Sequence, residues 1–451
     1  MKAPIAEFIE NYKRSGSVRL HMPGHKGMGK HCEDDITEIP GADELFNADG
    51  IINESEEYAS ELFGTGRTLY STEGSSLSIR AMLHLATVHA KSLGKDPYIL
   101  ADRGSHKVFY SAIALLDVPV KWIDPADNCV GVFNSISPEN IEKELQNATK
   151  IPTSVYITSP NYLGFTADIE KISKVCKRYG ILLLVDNAHG AYTAFLSPSR
   201  HPIHLGADMC TDSAHKTLPT LTGGAYLHIS KSAPKLLFDM AKSSMELFAS
   251  TSPSYLILKS LDLTNLYISD GYSNRLAAAV EETERLKHSL LSLGYELIGD
   301  EPMKITISAK SYGYSGLEIA ELLSCQNITV EFADPDYVVM MLTPEIVTAA
   351  AQSLISALSK IPRKAPIETL PPKFCHLHRA LTPREALLSP SESIAITDAL
   401  GRVSASPSVS CPPAIPIVTP GEIINEEAIK LFEYYGITRC RVVTEKADKK
   451  S

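Results

Sequence analysis

Between about residues 66 and 230, short apolar runs alternate with longer stretches of helical period. DPYILAD, VPVKWID, TSVYITS, GILLLVD and GAYLHIS have the length of strands, and the intervals between them have the length of helices. This alternation predicts an α/β domain built on a mostly parallel sheet. Several runs end in a polar residue, as at Asp102 and Asp186. Open α/β sheets bind ligands beyond the carboxyl ends of their strands, so these positions are the first place to look for chemistry.

Beyond residue 231 the pattern becomes mainly helical, and AAAVEETERLKHSLLSLG reads as an amphipathic helix stopped by Gly294. MKITISA, and ITVEFAD followed by YVVMML, are β-rich and enclose the helical GLEIAELLS, which predicts a smaller C-terminal α/β domain. Pro-rich segments at 362–372 and 406–420 read as extended connections, and the tail VTEKADKKS reads as frayed. The expected division is an N-terminal arm over 1–60, a large domain over 61–275 and a C-terminal region over 276–451. A chain of 451 residues exceeds the roughly 250–300 at which single cores stop growing, which agrees with more than one domain.

Charge narrows the partners. The 43 Lys and Arg against 53 Asp and Glu give a net charge of -10, so neither nucleic acid nor an anionic membrane surface is expected to bind. The eight cysteines form no Cys-x-x-Cys pair, as suits a reduced, cytoplasmic chain. The opening MKAPIAEFIENYKRSG is charged throughout, and no apolar run approaches the roughly 20 residues of a membrane span.

Four segments make sense together as a cofactor site. In STEGSSLSIRAMLHLA, Gly74, Ser75 and Ser76 precede a helical pattern, and such a turn aims N–H groups and hydroxyls at a phosphate; a plain serine cap is the ordinary alternative. ILLLVDNAHGAY ends a buried-strand run at Asp186, with His189 three residues on. A carboxylate there can keep a pyridine nitrogen protonated, which makes the ring an electron sink. TDSAHKTLPTLTGGAYLHI places Ser213, His215 and Lys216 among small and apolar residues before a Gly-rich strand, where partial desolvation would favour a neutral, nucleophilic lysine. Ser213 and His215 are in reach of a phosphate, and His215 can also move protons. ILADRGSHKVFYSAI sets His106 in a turn after a strand, where its ring can stack on a pyridine face. The pairs His201/His204 and His376/His378 lack accompanying ligands at metal spacing, so no metal is expected. No GxGxxG follows the first strand, which argues against a dinucleotide.

Taken together these residues resemble the Orn/Lys/Arg decarboxylases in their short form, members of the fold-type I pyridoxal-phosphate (PLP) enzymes. The resemblance runs through HMPGHKG, EIPGADELF, GSHKVFYSAI, VDNAHGAY, DSAHKTLPTLTGGAYLHI, TSPSY, LTPREA and PPAIPIVTPGE, nearly end to end. It implies an aminotransferase-like large domain, PLP as cofactor and decarboxylation of arginine, lysine or ornithine. Lys216 matches the lysine that carries PLP as a Schiff base, Asp186 the partner of the ring nitrogen, and His106 the ring-stacking histidine. His189 matches a histidine beside the cofactor, while Ser75, Ser76, Ser213 and His215 fall where the phosphate is held. A homodimer or higher even oligomer is implied as well. Another PLP activity on the same fold, or a lapsed PLP-binding paralogue, would share these residues.

The chain departs from the family pattern at Asn187, where a Glu is usual, and at Ser406, Cys411 and Ala414, where Glu, Tyr and Gly are usual. Asp43, Glu44, Glu73 and Glu422 lie in matched segments and are candidate partners for a cationic substrate side chain.

Overall fold

The computed structural model describes residues 2–30, 32–123, 136–373, 377–406 and 416–444. Cys411, Ala414 and His376 therefore lie outside the described residues. The chain divides into two compact units, each assembled from separated stretches: residues 1–97, 153–159 and 169–278 form the first, and the remainder forms the second.

The first unit carries strands β1 (Arg67–Ser71), β4 (Ser154–Thr158), β5 (Leu182–Asp186), β6 (Met209–Asp212) and β7 (Ala225–Ile229), in the order β1-β7-β6-β5-β4. β4, β5 and β6 run parallel, whereas β7 is antiparallel to both β6 and β1. Every residue of β5 is buried, which is why the LLLV before its terminal Asp186 is continuously apolar instead of alternating. The second unit holds the parallel pair β2 (Ile99–Ala101) and β3 (Val120–Trp122). It also contains an antiparallel sheet of β8 (Glu296–Ile298), β9 (Lys304–Ser308), β10 (Phe332–Ala333) and β11 (Tyr337–Met341), in the order β10-β11-β9-β8. The expected α/β class is present, and the β-rich C-terminal segments with the helix Gly316–Ser324 between them fall within the second unit. The helix Tyr272–Ser292 ends where predicted, with Gly294 at φ +92°. Among the described residues no helix is long and apolar enough to cross a membrane.

Helix α1 (Pro4–Arg14) has no side-chain cap of its own, although Pro4 starts it and Lys13 and Arg14 suit its C-terminal end. Its cap comes from far along the chain. Asp262, on the buried face of helix Tyr255–Ser269, accepts the Ala6 N–H at 2.9 Å and the Ser55 hydroxyl at 2.5 Å, the latter from helix α2 (Ile51–Leu62). Burial pushes the Asp262 carboxyl up to about 6 despite these donors. Asp262→Ala leaves the buried Ala6 N–H without its acceptor and is expected to lower stability by about 1–3 kcal/mol. An unchanged thermal midpoint in that variant would show that α1 is held by other contacts.

Candidate active site

The carboxyl ends of β5 and β6 lie side by side, with Asp186 registered against Thr211, and both strands deliver polar residues at that edge. Asp186 is 2 % exposed. Its carboxylate accepts the Ala188 N–H at 3.2 Å and the Tyr156 hydroxyl, from neighbouring β4, at 3.3 Å. Burial raises its pKa to about 6, with Lys216 and the two donors pulling it down and the like charge of Asp212 pushing it up. An acid held this way gains from a protonated ring nitrogen placed against it.

Lys216 follows β6 on a single helical turn, Ala214–Thr217. The residue is exposed as a whole, more open than its small and apolar sequence neighbours suggest, although its Nζ contact is partly buried. What it has is a specific neighbour: Nζ lies 3.1 Å from Nε2 of the buried His189, carried by the turn after Asp186. His215 donates from Nδ1 to the Gly224 carbonyl at 2.9 Å, which fixes the tautomer of a neutral ring and leaves its Nε2 as the basic nitrogen.

The segment expected to cradle a phosphate opens helix α3 (Gly74–Ser92). No side chain caps its N-terminus. Gly74 sits at φ +69°, where a Cβ would be strained although it would meet nothing within 4 Å. Ser213, buried at the end of β6, donates to the Ser75 hydroxyl at 2.8 Å, and the Gly74 N–H bonds the Gly223 carbonyl at 2.7 Å. Ser76 is half-buried in the same first turn. An uncapped helix start ringed by small residues and two hydroxyls suits a phosphate dianion. Amine, buried carboxylate, imidazole and phosphate cradle together fit PLP.

His106 belongs to the second unit. It is the N-cap of helix α4 (Lys107–Leu116), with Nδ1 accepting the Val108 N–H at 3.3 Å.

Two of the acids singled out for a cationic substrate are engaged by the fold, and two accept a single bond each. Asp43, at φ +70°, accepts the N–H groups of Gly50, Ile52 and Asn53 at 2.8–3.3 Å and so caps α2. Glu422 is buried within the second unit, paired with Arg103, and its Oε2 also accepts the Thr419 N–H at 2.7 Å. Glu73 accepts the Ser250 N–H at 2.7 Å, and Glu44, exposed, accepts from the Asn47 amide at 3.0 Å.

Reading by segments misses Tyr156, whose only signal is its place in the strand beside β5. It also misses Asp212, His201 and His228, which surround the back of the site. The histidine pair set aside as a metal site is split by the fold: His204 bonds Ser199 and the Phe63 carbonyl, and His201 turns to Asp212.

Comparison with known proteins points the same way. The model of the Orn/Lys/Arg decarboxylase major domain matches residues 3–297, and that of the C-terminal domain of the same family matches residues 375–441. The uncharacterized protein YaaO of Bacillus subtilis (strain 168) is 28% identical over 462 residues, spanning 95% of this chain and 93% of its own. An arginine decarboxylase of the same organism is 29% identical over 465 residues, spanning 95% and 92%. Among solved structures, the lysine decarboxylase LdcF of Francisella novicida aligns with a TM-score of 0.80 at 18% identity, covering 98% of this chain and 81% of that one.

Proposed function

Because the chain belongs to the Orn/Lys/Arg decarboxylase family and is a PLP-dependent amino-acid decarboxylase, we propose that it releases CO2 from a basic amino acid, arginine ahead of lysine and ornithine. The observation that carries the reading is the meeting of Lys216, His189 and Asp186 at one sheet edge, beside the open start of α3. Lys216 would hold the cofactor covalently, Asp186 its ring nitrogen, and Gly74, Ser75, Ser76, Ser213 and His215 its phosphate. The resemblance assigns His106 to the ring face. When bound, PLP supplies an electron sink for the pair left on Cα as the carboxylate departs.

The rest of the task falls to the chain. Buried Asp186, ionised, keeps the sink charged. His189 holds Nζ of Lys216 in place and can take or return its proton, and Nε2 of His215 offers a second base. Either Lys216 or His215 can deliver the proton that completes the amine.

The preference for arginine rests on the arginine decarboxylase that shares 29% of its residues with this chain over nearly its full length. Since Asp43 and Glu422 are taken up by the fold, Glu73 and Glu44 are the remaining acids of the matched segments for a guanidinium to meet. The PLP-loaded protein is expected to release amine and CO2 with kcat/KM highest for arginine, then lysine and ornithine. A clear preference for a neutral amino acid would remove the cationic substrate while sparing the cofactor. We also read the protein as a cytoplasmic homodimer or higher even oligomer. Val18, Leu20 and Met28, exposed after α1, are surface that a second copy would cover.

A further inference from the structure

Behind the site lies a polar cluster with no access to solvent. Asp212, His201 and His228 are each 0% exposed. One oxygen of Asp212, Oδ2, accepts from Nε2 of His201 and Nε2 of His228, both at 3.1 Å. The other, Oδ1, accepts from the Asn187 side-chain amide at 2.7 Å. His228 continues outward to the Thr68 hydroxyl at 2.8 Å. Cys210 Sγ lies 3.8 Å from His201 Nε2, so His201, Cys210 and Asp212 also form a group with metal-ligand chemistry. Both imidazole contacts to Asp212 have hydrogen-bond length, and the third donor is an amide, which does not ligate through nitrogen. The cluster is thus a carboxylate saturated by donors.

Asn187 occupies the position between Asp186 and the turn to His189. Its backbone N–H bonds the Thr211 carbonyl at 2.9 Å, and its own carbonyl accepts the Gly190 N–H at 2.8 Å. With the side-chain bond to Asp212 added, this residue is fastened on three sides. We propose that Asp212, acting through Asn187, is a positioning residue that holds the 186–190 turn and thereby the placement of Asp186 and His189 against cofactor and Lys216. The proposal rests on the function assigned above. Burial alone would push the Asp212 carboxyl up, but the two imidazoles hold it well below the usual carboxylate range, so it stays an acceptor. Where the family pattern has an acid at position 187, this chain has the donor that such an acceptor needs.

The test compares Asn187→Ala, Asn187→Asp and the exchange Asn187→Asp with Asp212→Asn, which reverses donor and acceptor across the same bond. Each is read by the visible absorption band of the bound cofactor, by the thermal midpoint of the cofactor-free protein, and by kcat and KM for the best basic amino acid. Asn187→Ala is expected to fold and bind PLP, to shift the band, and to lower kcat by about 10- to 100-fold with KM within about twofold, as small misplacement of reacting groups does. Asn187→Asp sets two carboxylates face to face and is expected to be worse, and the exchange to recover at least about tenfold of that loss. A wild-type band and kcat in Asn187→Ala would overturn the proposal. So would a lowered midpoint with the band and kcat unmoved, since that marks a purely structural bond. If Asn187→Asp does not fold, the Asn187→Ala readings decide. Lys216→Ala, run alongside, separates the two levels: if it keeps the visible band the functional assignment fails, and if it loses the band while Asn187→Ala is silent, only the positioning role fails.

Discussion

Lys216→Ala is expected to abolish both the visible absorbance of lysine-bound PLP and all measurable turnover, while leaving the thermal midpoint of the cofactor-free protein close to that of the wild type. The residue is exposed as a whole, and its contact at this edge is with His189 Nε2 at 3.1 Å, so its removal opens no core cavity. Loss of a nucleophile is not made good by neighbours, because neither His189 nor His215 can form the same covalent link to an aldehyde. Borohydride treatment followed by peptide mapping checks the assignment directly. Reduction that still attached PLP to the Lys216→Ala chain at native stoichiometry would show that another lysine carries it.

Asp186→Asn has the second largest expected effect, and it runs in opposite directions for activity and stability. A neutral amide cannot hold a protonated ring nitrogen, and loss of an electrostatic partner of this kind lowers kcat by about 100- to 1000-fold. In the cofactor-free protein the same change is expected to stabilise. Burial raises the folded pKa of Asp186 to about 6 from an ordinary value of 3.8. Between those two pH values the folded chain keeps a proton that the unfolded chain has released, so stability falls as pH rises through the window. At neutral pH the buried charge then costs up to about 3 kcal/mol. Asp262 and Asp334 have carboxyls raised to about 6 in the same manner, so the difference between variant and wild type, not the wild-type profile alone, isolates Asp186. A variant midpoint below that of the wild type at pH 7, or a nearly wild-type rate with PLP, would remove Asp186 from this role.

Much of this molecule is legible in its amino-acid sequence. β4, β5 and β7 are apolar runs of strand length, and Gly294 stands where the helix before it ends. β1 and β6 escape such a reading because RTLYS and MCTD mix polar and apolar residues. Their polar members are buried by partners across the sheet, such as Thr68 against His228, which no local pattern reveals. The site divides along the same line. Lys216, Asp186, His189, Ser75 and Ser213 stand in short segments with recognisable chemistry, and the fold brings them to one edge. Their supports stay hidden, because Tyr156 and Asp212 look like ordinary strand residues until adjacent strands are registered. The acids mislead for a related reason. A carboxylate in a matched segment looks like a binding group, yet Asp43 gives its oxygens to backbone amides of the helix start that follows it, and Glu422 pairs with Arg103, more than 300 residues away in sequence.

Gly190 gives the Asn187 bond a genetic consequence. A Cβ at position 190 would fall 2.0 Å from Oδ1 of Asn187, far inside contact distance. No residue but glycine fits there while Asn187 keeps its pose, so the two positions cannot drift independently. A lineage that altered residue 190 would first have to shorten or redirect residue 187, and with it give up the tie to Asp212. In a library randomised at both sites, functional clones should therefore be confined to a few pairs, with glycine at 190 accompanying every clone that retains asparagine at 187.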